Sequence, residues 1–158
     1  MVQNFAGTEA GEDTSCSAPA DIGSQKCDAK PSIRYFYDPK TYYCYPFKYS
    51  GCGGNDNNYL TLDKCTQCVP EDAFSCPGGA HERGYCQEQS DCPPDSTCIR
   101  GLYGLCCDNK ATAQADNKNC GSKKIMQGEQ YHGISCKHNF CPDDSECREN
   151  GYYAFCCK

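Results

Sequence analysis

The chain has little of what most proteins of its length use to build a core. Leu, Ile, Val and Phe supply only 17 of its 158 residues. So few aliphatics leave a reduced chain unable to offset the entropy of ordering by burial alone. No apolar run approaches membrane-spanning length, which excludes membrane insertion as a single helix. No segment is strongly basic: net charges are −3 over 1–15, +1 over 16–68, −5 over 69–109 and +1 over 110–158. That excludes a nucleic-acid or anionic-lipid surface, and the acidic stretch reads as a solvated face. Phosphate-loop and nucleophile-elbow motifs are missing as well. His81, His132 and His138 are scattered and read as surface-loop residues, so no enzyme and no cofactor are expected.

What the chain has in abundance is cysteine, eighteen in all. They fall into three groups of six, Cys16 to Cys68, Cys76 to Cys107 and Cys120 to Cys157. Each even group can close three disulfides within itself. Segments of 32 to 53 residues rarely fold on packing alone. A disulfide is worth about 2–4 kcal/mol, mostly by restricting the unfolded chain. Nine of them can stand in for the missing core and imply an oxidising compartment, hence a secreted, extracellular protein. Cys65-Thr66-Gln67-Cys68 has the spacing of half a zinc site. No second Cys-x-x-Cys accompanies it and no βαβ pattern surrounds it, so neither a metal nor a redox site is expected.

Met1 to Ser15 is polar and acidic, without the apolar stretch of a signal peptide. Residues 1–15 are expected to be a flexible leader, and the chain a mature form with an added start Met. Residues 16–68 hold seven of the twelve tyrosines. Aromatic runs at Arg34-Tyr35-Phe36-Tyr37 and Tyr42 to Tyr49 flank Asp38-Pro39-Lys40-Thr41, which predicts a β-hairpin. Thr61 as N-cap and Asp63 in the first turn predict a short helix ending near Cys68.

The remaining two segments repeat one another. Cys92-Pro93-Pro94-Asp95-Ser96-Thr97-Cys98 parallels Cys141-Pro142-Asp143-Asp144-Ser145-Glu146-Cys147. Gly101 to Leu105 before Cys106-Cys107 parallels Gly151 to Phe155 before Cys156-Cys157. Alternating apolar residues before each Cys-Cys pair predict a strand. Adjacent cysteines form a strained ring, so each pair is expected to staple that strand to two other places. Fifteen pairings are open in each segment. Lys110 to Lys118 reads as a linker. The expected divisions are thus 1–15, 16–68, 69–109, a linker at 110–119, and 120–158.

Residues 16–68 resemble a Kunitz domain, the fold of pancreatic trypsin inhibitor. The resemblance rests on Arg34-Tyr35-Phe36-Tyr37, on Cys44 with Phe47, Tyr49, Gly51 and Cys52, on Gly53-Gly54-Asn55-Asp56-Asn57-Asn58-Tyr59, and on Cys65 and Cys68. It implies the pairs Cys16–Cys68, Cys27–Cys52 and Cys44–Cys65. It also implies an inhibitory loop Lys26, Cys27, Asp28, Ala29, Lys30, Pro31, supported by a secondary loop Ser50, Gly51, Cys52, Gly53. Such a loop enters a serine-protease cleft like a substrate and is too rigid to be turned over. Asp28 stands where the family places the residue that fills the protease's specificity pocket. Against a trypsin-like pocket, which has its own aspartate, this predicts loss of most affinity. The spacings Cys16 to Cys27 and Cys27 to Cys44 are two and one residues longer than the family's, so Lys30 or Lys26 can be presented instead.

The repeated segments are similar to lustrin-type cysteine-rich repeats, which accompany Kunitz domains in secreted nematode proteins. Cys76-Pro77, the Cys-Pro-x-Asp-Ser-x-Cys run and the final Cys-Cys carry that similarity. Whey-acidic-protein domains need two further cysteines that are absent here. The expected architecture is a small disulfide-rich multi-module protein. A Kunitz α+β fold, a β-hairpin plus a short C-terminal helix, precedes two small β-rich six-cysteine modules. The expected function is a secreted serine-protease inhibitor of atypical specificity, monomeric, with an extracellular protease as partner. The alternatives are a non-inhibitory protein binding a receptor, ion channel or host ligand, and a matrix component. Tyrosines and Phe140, expected at the surface, would serve the binding alternative.

Overall fold

A computed structural model describes residues 14–24, 26–100 and 103–158. Most of the expected leader, residues 1–13, lies outside them. Thr14–Cys16 is one turn of 3-10 helix. Two antiparallel strands follow, β1 (Ser32–Asp38) and β2 (Tyr43–Tyr49), in register from Ser32 opposite Tyr49 to Asp38 opposite Tyr43. The turn between them is organised by Asp38. Its carboxylate accepts from the Lys40 N–H at 3.3 Å and the Thr41 hydroxyl at 2.8 Å. The Tyr45 hydroxyl in turn donates to Thr41 Oγ1 at 2.9 Å, and burial pushes the Tyr45 phenol up.

Alternation along the hairpin makes two apolar faces. Phe36, Tyr45 and Phe47 form one, and Tyr37 with Cys44 the other, where Cys65 packs against them. The second face is covered by α1 (Leu62–Thr66), whose Thr61 side chain accepts from the Lys64 N–H at 3.3 Å. The outer edge of β1 is paired at Tyr35 with Tyr59.

The middle segment holds a three-stranded antiparallel sheet of β3 (Tyr85–Cys86), β4 (Ser96–Ile99) and β5 (Gly104–Asp108), with β5 in the centre. The C-terminal segment repeats it with β6 (His132–Gly133), β7 (Glu146–Glu149) and β8 (Ala154–Cys157), β8 in the centre. All eighteen cysteines are paired. The hairpin unit closes Cys16–Cys68, Cys27–Cys52 and Cys44–Cys65. The middle segment closes Cys76–Cys107, Cys86–Cys98 and Cys92–Cys106. The C-terminal segment closes Cys120–Cys157, Cys136–Cys147 and Cys141–Cys156. Numbered in order, both repeats pair first with sixth, second with fourth and third with fifth. The adjacent cysteines of the central strand therefore leave on opposite faces to two different partners, as the period of a strand requires.

Three expectations are corrected. Residues 110–119 are not a plain linker, because Asn109–Asp116 is an α-helix, α2. The Asp108 side chain caps it by accepting from the Ala111 N–H at 2.9 Å. Alanines favour the helix, Ala115 is buried, and Asn150 Nδ2 donates to the carbonyls of Ala115 and Asn117 at its end. Phe140 is not a surface residue. It is 3 % exposed and fills the space beside Gly133, where a Cβ would come within 2.5 Å of its ring. His132 and His138 are not loop-surface residues either: His132 lies in β6 and both rings are half-buried.

The three units pack on one another. The His138 ring meets Phe36 edge-on at 5.1 Å, and the Tyr153 ring lies 6.4 Å from that of Tyr45. The Tyr153 hydroxyl accepts from the Gly78 N–H at 2.6 Å, tying the middle segment to the same point. Burial holds both imidazoles below the usual histidine range, with Lys118 adding to the effect on His132 and Glu149 opposing it on His138. Nδ1 of each ring is buried without a partner. Because the folded pKa lies below the unfolded one, this stability is complete above pH 6.5 and is lost as pH falls through the folded value. Thermal melting at pH 7.5 and pH 5.0 should show a lower midpoint at pH 5.0. The fall should shrink when His132 and His138 are both replaced by glutamine. An equal fall in the double variant would assign the acid sensitivity to carboxylates instead.

Candidate functional site

The hairpin places two loops at one end of the molecule. Pro31 leads directly into Ser32 and Tyr49 directly into Ser50, and Ser32 is opposite Tyr49. Residues 26–31 and 50–53 therefore emerge side by side, joined by Cys27–Cys52. Lys26, Asp28, Ala29, Lys30 and Pro31 are exposed, while Cys27 is half-buried. Ser50, Gly51 and Cys52 are half-buried behind them, and Gly53 is exposed. Among the described residues, no ion pair engages Lys26, Asp28 or Lys30.

The contacts behind this surface hold its shape. The Ser50 N–H donates to the Ile22 carbonyl at 2.8 Å, and the Ser24 N–H donates to the Cys52 carbonyl at 2.8 Å. Ser50 Oγ donates to the Cys52 carbonyl at 3.0 Å, which gives this carbonyl a second donor. The Tyr49 hydroxyl donates to the Gly53 carbonyl at 2.7 Å. Below, buried Asn57 accepts from the Tyr37 N–H at 2.8 Å and donates to the carbonyls of Ala18 and Tyr37. Asn55 Nδ2 reaches the Pro19 carbonyl at 2.7 Å. The chain before Cys27 is thus pinned to the hairpin at Ala18, Pro19, Ile22 and Ser24.

Two glycines make this approach possible. A Cβ on Gly23 would lie 2.3 Å from the Cys52 carbonyl oxygen. A Cβ on Gly51 would lie 2.6 Å from Ala29 Cβ, and the Gly51 φ of 99° belongs to the region that side chains avoid. Gly51→Ala should therefore cost about 1–2 kcal/mol of stability and push residues 29–30 outward. The check is thermal unfolding together with hydrogen exchange at Ala29 and Lys30. An unchanged melt would mean that the two loops are not in contact.

The resemblance names both loops but not the segment Asp21 to Ser24 that lies against residues 50–52. A signal was available, since Asp21 followed by Gly23 is an Asx-turn pattern and the Gly23 N–H does donate to Asp21 Oδ1 at 2.9 Å. Asn57 was seen only as part of a glycine-rich run, and its 1 % exposure marks it as the buried polar anchor of the site. On the flank, Ile33 and Lys48 share a groove of about 350 Å³ with Gln130, Tyr131 and residues 139–143 of the C-terminal segment. Cys86, Cys92 and Cys106 bring their sulfurs within 4.8 Å of one another, but each is committed to a disulfide and offers no thiolate to a metal.

The arrangement is an exposed irregular loop, residues 26–31, tied to residues 50–53 by Cys27–Cys52 and by the contact of Gly51 with Ala29. Residues 15–69 match the model of the Kunitz/bovine pancreatic trypsin inhibitor domain. Over most of its length the chain is similar to a BPTI/Kunitz inhibitor domain-containing protein of Caenorhabditis elegans. They are 34 % identical, across 90 % of this chain and 89 % of the relative. It is 32 % identical to the major allergen Ani s 1 of Anisakis simplex, across 92 % of this chain and 87 % of the allergen. A Kunitz-type serine protease inhibitor of Olivierus martensii is 48 % identical over 60 residues, which are 37 % of this chain and 70 % of that protein.

Proposed function

This chain belongs to the Kunitz/bovine pancreatic trypsin inhibitor family, and on that premise we propose that it is a secreted serine-protease inhibitor of atypical specificity. The observation that carries this reading is the bracing of residues 26–31. The Cys27–Cys52 bond and the close fit of Gly51 against Ala29 tie the loop to residues 50–52, which backbone bonds to Ile22 and Ser24 hold in turn. A loop already ordered loses little freedom on binding, so its contacts convert into affinity. Asp28 is then the residue offered to the specificity pocket, with Lys26 and Lys30 on either side. Kunitz domains inhibit proteases and are not enzymes, and a relative similar to residues of this domain is itself named a serine protease inhibitor.

On the same reading, residues 16–68 are the inhibitory module. Residues 69–109 and 120–158 are two lustrin-type repeats, connected through 110–119. The nine disulfides support an extracellular site of action. Among the described residues no helix is long and apolar enough to cross a membrane.

Tight-binding titration of the oxidised protein tests the proposal. The panel should include serine proteases with trypsin-like, chymotrypsin-like, elastase-like and acid-preferring pockets. Stoichiometric inhibition of any member at nanomolar concentration is the expected result. Absence of inhibition at micromolar protein would favour the second reading, a non-inhibitory binding protein for an extracellular receptor, channel or host ligand. The observation favouring that reading is Asp28 itself, an exposed acid at the position that decides specificity.

A further inference from the structure

At the other end of the hairpin from the loops, the three units line an open cavity of about 610 Å³. We infer that this junction cavity is a binding site for a small organic cation, an ammonium group carried on an aromatic or alkyl body. Its walls are aromatic. The Tyr43 and Tyr45 rings lie 5.3 Å apart and the Tyr153 ring lies 6.4 Å from Tyr45, with Phe74 and Ile99 added by the middle segment. The Tyr45 hydroxyl is bound to Thr41 and the Tyr153 hydroxyl holds the Gly78 N–H, so two of the rings are fixed in place. Fixed aromatic faces attract a cation through their quadrupoles and cover its apolar body.

The charges at the cavity set the sign of the ligand. Asp116 and Glu129 line it and, among the described residues, neither is in an ion pair. Glu129 acts on the Tyr43 phenol, which burial and then this carboxylate hold above its usual range. The ammonium therefore belongs between Glu129 and the Tyr43 ring. Among the described residues of the lining Lys118 is the one lysine or arginine, and burial first and Lys118 second hold His132 below the usual histidine range. Two carboxylates against one ammonium leave the cavity one charge negative. Its volume lies within the range of small-molecule sites, and junctions between domains are where such sites concentrate.

The test uses the intact oxidised protein and two probes of one shape, 2-phenylethylammonium and neutral 2-phenylethanol. Binding is followed by calorimetry and by tyrosine fluorescence, which no tryptophan masks. The ammonium should saturate with a dissociation constant of about 0.1–1 mM, and the alcohol should bind at least about tenfold more weakly. Glu129→Gln should weaken the ammonium by about two- to fivefold and Lys118→Gln should tighten it by about two- to fivefold. Both residues are exposed, so unchanged melting of the variants verifies their folding. Equal binding of the two probes, no saturation below about 10 mM, or variants that leave the ammonium affinity unmoved would overturn the site. The cavity is remote from residues 26–31, so this outcome is separate from that of the protease titration.

Discussion

Asp28→Arg is expected to raise affinity for trypsin by roughly a hundredfold to a few thousandfold. Asp28 is exposed on a loop whose backbone is set by Cys27–Cys52 and by the fit of Gly51 against Ala29. In a trypsin-like pocket the side chain at this position meets a buried aspartate. A buried charge without a partner costs about 3–5 kcal/mol, and each 1.4 kcal/mol is about tenfold in affinity. Arginine replaces that repulsion with a charge-assisted, two-pronged hydrogen bond. Among the described residues Asp28 is in no ion pair, so the substitution breaks none there. The measurement is the inhibition constant for trypsin of both forms, with Asp28→Asn as the control that removes charge alone. A large gain for arginine and a small one for asparagine is the expected pattern. No gain from arginine would mean that the two-residue and one-residue lengthenings around Cys27 present a different side chain, and the same substitution should then be made at Lys30.

The second large effect concerns folding. Replacing Cys120 and Cys157 together by alanine should cost about 4 kcal/mol. The bond spans 37 residues, and closing a loop of that order restricts the unfolded chain by about this amount. It also removes two of the three buried residues in its cluster, leaving Phe155 with only part-buried Ile125. What is left of the segment's core is the small cluster of Phe140, Ala154 and Cys156, which rests on Cys141–Cys156. It should unfold separately, taking His138 away from Phe36 and Tyr153 away from Tyr45, while Cys16–Cys68, Cys27–Cys52 and Cys44–Cys65 hold the hairpin unit. Calorimetry of the variant should resolve an early transition that the parent lacks. A single transition at the parent's temperature would show that packing between units outweighs the bond.

The elements that carry the candidate site could be read from the residues, whereas the loops themselves were implied only by the resemblance to the Kunitz family. The hairpin was legible because Tyr35, Phe36 and Tyr37 alternate around a turn that Asp38 and Pro39 favour. Thr61 announced α1 by the need to satisfy the first N–H groups of a helix. Other features depended on neighbours that are distant in sequence. The α2 helix was missed because its alanines and polar residues have no apolar stripe; Asp108 and Asn150 complete it from either end, and Asn150 is 34 residues beyond Asp116. Phe140 looked like a surface aromatic because burial of a single ring leaves no periodic trace; it packs beside Gly133 and against Ala154 and Cys156. His132 and His138 gave no sign of their environment for the same reason.

By itself the sequence determined the class of protein, a chain held by cystines rather than by a hydrophobic core, with three groups of six cysteines and a repeat in the last two. It did so because composition and cysteine spacing are properties of the chain alone. Only the tertiary structure decided which of fifteen pairings each repeat uses, since a disulfide needs Cα atoms about 5.5 Å apart and sequence separation does not measure that distance. It also decided that Asp21 to Ser24 brace the exposed loop, and that Tyr153 joins the three units around a shared cavity. Those features arise from contacts across dozens of residues, where side-chain shape and unsatisfied backbone groups select the neighbour.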